Sequence, residues 1–133
     1  MSKRVLIVDD SMLMRKMVSE ILADSGWTVA GEAADGLEAI EKFKECRPDA
    51  VTLDIVMPGT DGIYALQHIV ELKPDAKVVV VSALNQTKLI SEAIRSGAQD
   101  FIAKPFLPEQ LQQTVQACLE EPVATQCQPA SSS

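Results

Sequence analysis

The sequence predicts an α/β fold, a five-stranded parallel sheet with helices on both faces, and three observations predict it. Short apolar runs rich in β-branched residues alternate with longer stretches of helical periodicity five times along the 133 residues. The connections between them are short, which suits right-handed βα crossovers. Polar groups then recur at one kind of place, directly after apolar runs one, three, four and five, where open α/β sheets bind ligands.

The first run, Val5 to Val8, is wholly apolar and bounded by Lys3-Arg4 and Asp9-Asp10, the pattern of a parallel strand buried on both faces. Ser11 to Ser25 follows as a helix with Met14, Met17, Val18, Ile21 and Leu22 on one face, stopped by Gly26. Both methionines are expected in the core. Trp27 to Ala33 is a shorter second strand. Asp35 is the expected N-cap of the next helix, with Glu38 three positions on as its partner; Ile40 and Phe43 carry the buried face to Cys46, and Pro48 ends it.

Ala50 to Leu53 is the third strand, closed by Asp54. After Met57-Pro58-Gly59-Thr60, Asp61-Gly62 opens a helix striped by Ile63, Leu66, Ile69 and Val70, and Pro74-Asp75 makes a turn. Lys77 to Val81 is the fourth strand, the most hydrophobic, ending in Ser82-Ala83. Thr87 to Ser96 is a helix stopped by Gly97. Ala98 to Ala103 is the fifth strand, leading into Lys104-Pro105-Phe106. Pro108 fits the first turn of a last helix with Leu111, Val115, Cys118 and Leu119 facing in, and Pro122 is expected to end it. The domain is thus expected over residues 1–121, with 122–133 a disordered polar tail.

Composition narrows the function classes. Apolar residues make up 47% and charged residues 23%, ordinary for a globular protein, and the net charge is -7. An acidic surface argues against nucleic-acid binding, which needs basic patches. No apolar run approaches the roughly 20 residues that span a bilayer, and Met1 to Arg4 is followed by no signal-type apolar segment, so the expectation is a cytoplasmic protein with no membrane partner. Cys46, Cys118 and Cys127 lie far apart and suggest neither disulfides nor a metal cluster. Cys127, in the tail, is the one expected to oxidise.

A parallel sheet puts all strand C-termini at one edge, which gathers Asp9, Asp10, Asp54, Ser82 and Lys104. Clustered carboxylates raise one another's pKa unless a cation joins them, and an all-oxygen set suits Mg²⁺. A lysine and a hydroxyl beside them form an anion-binding pair. Together they suit a phosphoryl group, with Asp54, on the central strand, as the nucleophile that forms an acyl phosphate and Asp9-Asp10 as the metal side.

The pieces Val5-Leu6-Ile7-Val8-Asp9-Asp10, Asp54-Ile55-Val56-Met57-Pro58 with Asp61-Gly62, Ser82-Ala83 and Lys104-Pro105-Phe106 together resemble the bacterial two-component response-regulator receiver domain, of the single-domain, CheY-like, chemotaxis type, over Lys3 to Glu120. The resemblance implies a (βα)5 flavodoxin/CheY-like fold with strand order 2-1-3-4-5. It implies that Asp54 takes a phosphoryl group from a phosphohistidine of a sensor histidine kinase. Asp10, Asp54 and the backbone carbonyl of Val56 would hold Mg²⁺, with Asp9 acting through water. Ser82 and Lys104 would contact the phosphoryl oxygens, and the Lys104-Pro105 bond would be cis. The protein would catalyse only its own phosphorylation and dephosphorylation.

The resemblance further implies a switch in which Ser82 moves toward the phosphoryl group and the aromatic on the last strand turns inward. That aromatic is Phe101, where the family commonly has Tyr; the bland reading is that Phe101 is always core. The output face would be the fourth helix, fifth strand and fifth helix, its partner a flagellar motor switch protein, with a phosphatase as a further partner. Apolar Val56 and Leu84, where the family often has polar residues, point to a long-lived phosphoryl group, and small Ala83 suits entry of the donor. A phosphate sink, a phosphorelay intermediate or a receiver cut from a longer regulator would share these site residues. A haloacid-dehalogenase-like phosphatase would place its two aspartates two residues apart on the first strand, and a flavodoxin-like module would need a Ser/Thr/Gly-rich loop where Ser11-Met12-Leu13-Met14 stands.

Overall fold

The computed structural model describes residues 3–55, 62–83 and 87–127, with side chains through residue 119. The chain alternates β1 (Arg4–Val8), α1 (Met12–Asp24), β2 (Thr28–Ala33), α2 (Gly36–Cys46), β3 (Ala50–Asp54), α3 (Gly62–Leu72), β4 (Val78–Ala83), α4 (Thr87–Arg95), β5 (Asp100–Lys104) and α5 (Pro108–Cys127). All strand pairs are parallel and the sheet order is β2-β1-β3-β4-β5. The chain reverses direction across the sheet between β1 and β3, which opens a crevice beyond their C-terminal ends.

Strand alternation divides the core in two. Leu6, Val8, Val51, Leu53, Val78 and Val80 face α2, α3 and α4, where Ile40, Phe43, Leu66 and Ala93 meet them. Val5, Ile7, Val79 and Ile102 face α1 and α5, where Leu22, Leu111, Val115 and Cys118 meet them. The continuous apolar character of β1 and β4 follows from this double coverage, since both sides of each strand leave water. Leu111 is fully buried in the second layer. Leu111→Ala is therefore expected to lower unfolding free energy by about 2–5 kcal/mol, read as a fall in the urea midpoint at unchanged slope.

Capping follows local chemistry. Asp35 accepts from the Glu38 amide at 2.8 Å, and the Glu38 carboxylate accepts from the Ala34 amide at 2.8 Å, so two donors at the start of α2 are satisfied. Ser11 caps α1, accepting from the Met14 amide at 3.2 Å. β1 pairs with β2 through a one-residue irregularity that leaves Ala30 outside the register, and the Cys46 thiol lies 3.2 Å from its carbonyl oxygen. Cys46 is half-buried and Cys118 buried, and neither is part of a disulfide.

Two expectations fail here. Met17 is exposed and Met14 only half-buried, while Val18 and Leu22 form the buried contact of α1. The apolar stripe of α1 is wider than the surface it covers, so its edge faces solvent. α5 runs to Cys127, past Pro122, where its end was expected. A proline in a helix interior removes one amide donor at a cost of about 3 kcal/mol.

Candidate functional site

Four strands deliver the site to one edge. Register sets Val8 beside Leu53, Asp54 beside Val81 and Ala83 beside Lys104. Asp9 and Asp10 follow β1, Asp54 ends β3, Ser82 lies near the end of β4 and Lys104 ends β5. The five side chains predicted from the strand ends thus lie at the same edge.

Asp9 and Asp54 are buried, 4% and 6% exposed, and Asp10 is exposed. One carboxylate oxygen from each of the three lies within 4.8 Å of the others. Lys104 Nζ stands between two of them, 3.2 Å from Asp9 Oδ2 and 3.4 Å from Asp54 Oδ2. Three carboxylates and one ammonium leave the cluster with a deficit of positive charge, and the donors are all hard oxygens. A divalent cation of the Mg²⁺ type fits such a set. Ser82 Oγ is buried and has no hydrogen-bond partner among the described residues. A buried hydroxyl in that condition is costly unless a ligand completes it.

Asp9 is held at every polar atom. Its amide donates to Ala33 O at 3.1 Å, its Oδ1 accepts from the Ser11 amide at 2.9 Å and its Oδ2 from Lys104. Its carbonyl accepts from an Arg15 guanidinium nitrogen at 2.7 Å, while Arg15 Nε donates to Glu32 Oε1 at 3.0 Å. Sequence reasoning missed Arg15; its spacing of four from the helix cap Ser11 is the signal that places it over the strand end. Reasoning missed the packing role of Gly62 as well. Gly62 opens α3 with its amide donating to Ile55 O at 3.1 Å, and a Cβ built on it would lie 2.5 Å from the Asp54 carbonyl oxygen.

The Lys104–Pro105 peptide is cis. Phe101 is 41% exposed, so it is not a constant core residue. Val56, whose carbonyl was expected to face the metal, and Asp61 and Leu84 lie outside the described residues. Beside Lys104, a groove of about 380 Å³ is lined by Met14, Met17, Pro105 and Phe106. Met12, Leu13 and Leu107 are more than half exposed.

Buried carboxylates at a switch point, paired with a lysine and an unpartnered hydroxyl, define a class: domains that take a phosphoryl group on an aspartate and change state. Residues 5–116 match the response regulator receiver domain model, and the chain belongs to that family. It is a CheY-like receiver, a phosphorylation switch of two-component signalling rather than a classical enzyme. It is 51% identical over 111 residues to the chemotaxis protein CheY of Thermotoga maritima, covering 84% of this chain and 92% of that one. It is 43% identical over 119 residues to CheY of Bacillus subtilis, covering 90% of this chain and 99% of that one. Among solved structures, the CheX-CheY complex with BeF3 and Mg from Borrelia burgdorferi matches with a TM-score of 0.83 at 39% identity, over 87% of this chain and 88% of that one. No described helix is long and apolar enough to cross a membrane.

Proposed function

We propose that Asp54 is the phosphoacceptor of this receiver and that Asp9, Asp10 and Asp54 hold Mg²⁺, with the Val56 carbonyl as a further ligand. The observation that carries the reading is the meeting of Asp54 with Lys104, at 3.4 Å, inside the carboxylate trio and next to the strand that bears the unpartnered Ser82 hydroxyl.

The donor is a phosphohistidine of a sensor histidine kinase. An Asp54 carboxylate oxygen attacks phosphorus, the P–N bond breaks, and its electron pair stays on the imidazole nitrogen, leaving an acyl phosphate on Asp54. Lys104 transfers its pairing from the carboxylates to a phosphoryl oxygen, and the Ser82 hydroxyl donates to another. Bound Mg²⁺ supplies positive charge for the carboxylates and for the incoming phosphoryl oxygens. The apolar groove of Met14, Met17, Pro105 and Phe106 beside Lys104 suits a protein donor rather than a small molecule alone.

The readout passes through Ser82 and Phe101. Movement of the Ser82 hydroxyl toward the phosphoryl group vacates space beside β5, and Phe101, half in solvent, gains apolar contact by turning in. The output surface is then α4, β5 and α5, where Phe101, Gln110, Gln113 and Thr114 line a groove of about 510 Å³. A flagellar motor switch protein is the proposed partner and a phosphatase a second one, supported by the likeness to chemotaxis proteins.

Intact mass after incubation with acetyl phosphate and Mg²⁺ tests the chemistry. The parent is expected to gain one phosphoryl group, about 80 Da. Asp54→Ala, or parent with EDTA present, should gain nothing. An adduct that survives Asp54→Ala would move the acceptor elsewhere.

A further inference from the structure

Of the carboxylate trio, Asp10 is the exposed member, and no hydrogen bond from the described residues fixes its side chain. Its direction is inherited from the peptide before it. That peptide is planar, so the Asp9 carbonyl and the Asp10 amide swing together, and whatever holds the Asp9 oxygen orients the Cα of Asp10. Arg15 holds it, at 2.7 Å. Arg15 is in turn held at Nε by Glu32 on β2, at 3.0 Å. The Arg15 side chain is 16% exposed and the Glu32 side chain 44%. The Asp9 amide, Oδ1 and Oδ2 are tied elsewhere, and Arg15 takes the remaining polar group of Asp9, the carbonyl that leads into Asp10.

We propose that Arg15, braced by Glu32, is a positioning residue for the metal side of the site, fixing the Asp9–Asp10 peptide so that the Asp10 carboxylate converges with Asp9 and Asp54. The proposal rests on the reading of the trio as a divalent-cation site. The competing reading is a surface ion pair, worth about 0–1 kcal/mol and of no consequence to the metal. Charge and position predict opposite signs. A guanidinium near a cation site repels the cation, so if charge alone mattered, removing Arg15 would tighten metal binding and removing Glu32 would loosen it. If position matters, both removals loosen it.

Calorimetric titration of metal-free protein with MgCl2 separates these outcomes, using the parent, Arg15→Gln, Glu32→Ala and the double variant, each with its urea midpoint measured. Arg15→Gln is expected to bind Mg²⁺ about 10-fold more weakly, the usual scale for groups that orient metal ligands. Glu32→Ala is expected to weaken binding by less, and the double variant to match Arg15→Gln, because the two act through one bond chain. Affinity in Arg15→Gln equal to or tighter than the parent's overturns the proposal. Should Arg15→Gln fail to fold, Arg15→Lys decides, because it keeps the charge and loses the planar fork that bridges the Asp9 carbonyl and Glu32, and unchanged affinity there overturns the proposal. A parent that binds no Mg²⁺ sinks the trio reading itself and the proposal with it.

Discussion

A Lys104→Met protein is expected to accept a phosphoryl group from acetyl phosphate about 10²–10³-fold more slowly at saturating Mg²⁺, while binding Mg²⁺ at least as tightly as the parent. The two effects have one cause. Lys104 Nζ lies 3.2 Å from Asp9 Oδ2 and 3.4 Å from Asp54 Oδ2, so before reaction it neutralises part of the trio's charge. Taking it away leaves three carboxylates in a largely buried cluster, where a hard cation binds more favourably. During transfer, charge builds on the phosphoryl oxygens, and the ammonium is the protein cation placed at the mouth of the cluster to meet it. The methionine keeps the length and most of the volume of the side chain, so packing is disturbed little. A time course of intact mass at saturating Mg²⁺, beside a calorimetric titration, reads both quantities. A parent-like rate would mean that Lys104 only balances charge in the resting site.

The edge that carries this chemistry was legible because two simple rules meet there. Apolar runs such as Val5 to Val8 mark strands, and a parallel sheet must bring their C-terminal ends together. Residues fixed by sequence position alone, Asp9, Asp54 and Lys104, therefore fell into contact distance without any knowledge of side-chain packing. The N-cap at Asp35 was legible for a similar reason, since it acts on an amide within its own first turn. What escaped depended on neighbours in space. The helical period of α1 locates the centre of its apolar face, at Val18 and Leu22, and says nothing of where the covering surface stops, so Met17 was misplaced. Arg15 was missed because its partners, the Asp9 carbonyl and Glu32, lie outside its own helix. Pro122 misled because a local penalty was read as a terminus.

Gly62 shows the same limit with a larger consequence. On local grounds Gly62→Ala, at the start of a helix, should be neutral or stabilising by up to about 1 kcal/mol. The tertiary setting reverses the sign. A Cβ there would stand 2.5 Å from the Asp54 carbonyl oxygen and 3.1 Å from the Ile55 carbonyl carbon, both main-chain atoms. Neither a rotamer change nor a flexible tip can absorb that overlap, so α3 or the peptide after Asp54 must move. Overpacking of this kind costs about 1–3 kcal/mol. Displacing Asp54 by an ångström can slow transfer by about 10²-fold, because the carboxylate leaves its line with Lys104. Gly31→Ala is the matched control. There the nearest atom to an added Cβ is the Cys46 sulfur at 2.9 Å, the end of a side chain that can turn aside. The expected result is a lower urea midpoint and slow phosphorylation for Gly62→Ala, with Gly31→Ala close to the parent in its phosphorylation rate. Equal rates in all three proteins would show that the start of α3 does not hold Asp54 in place.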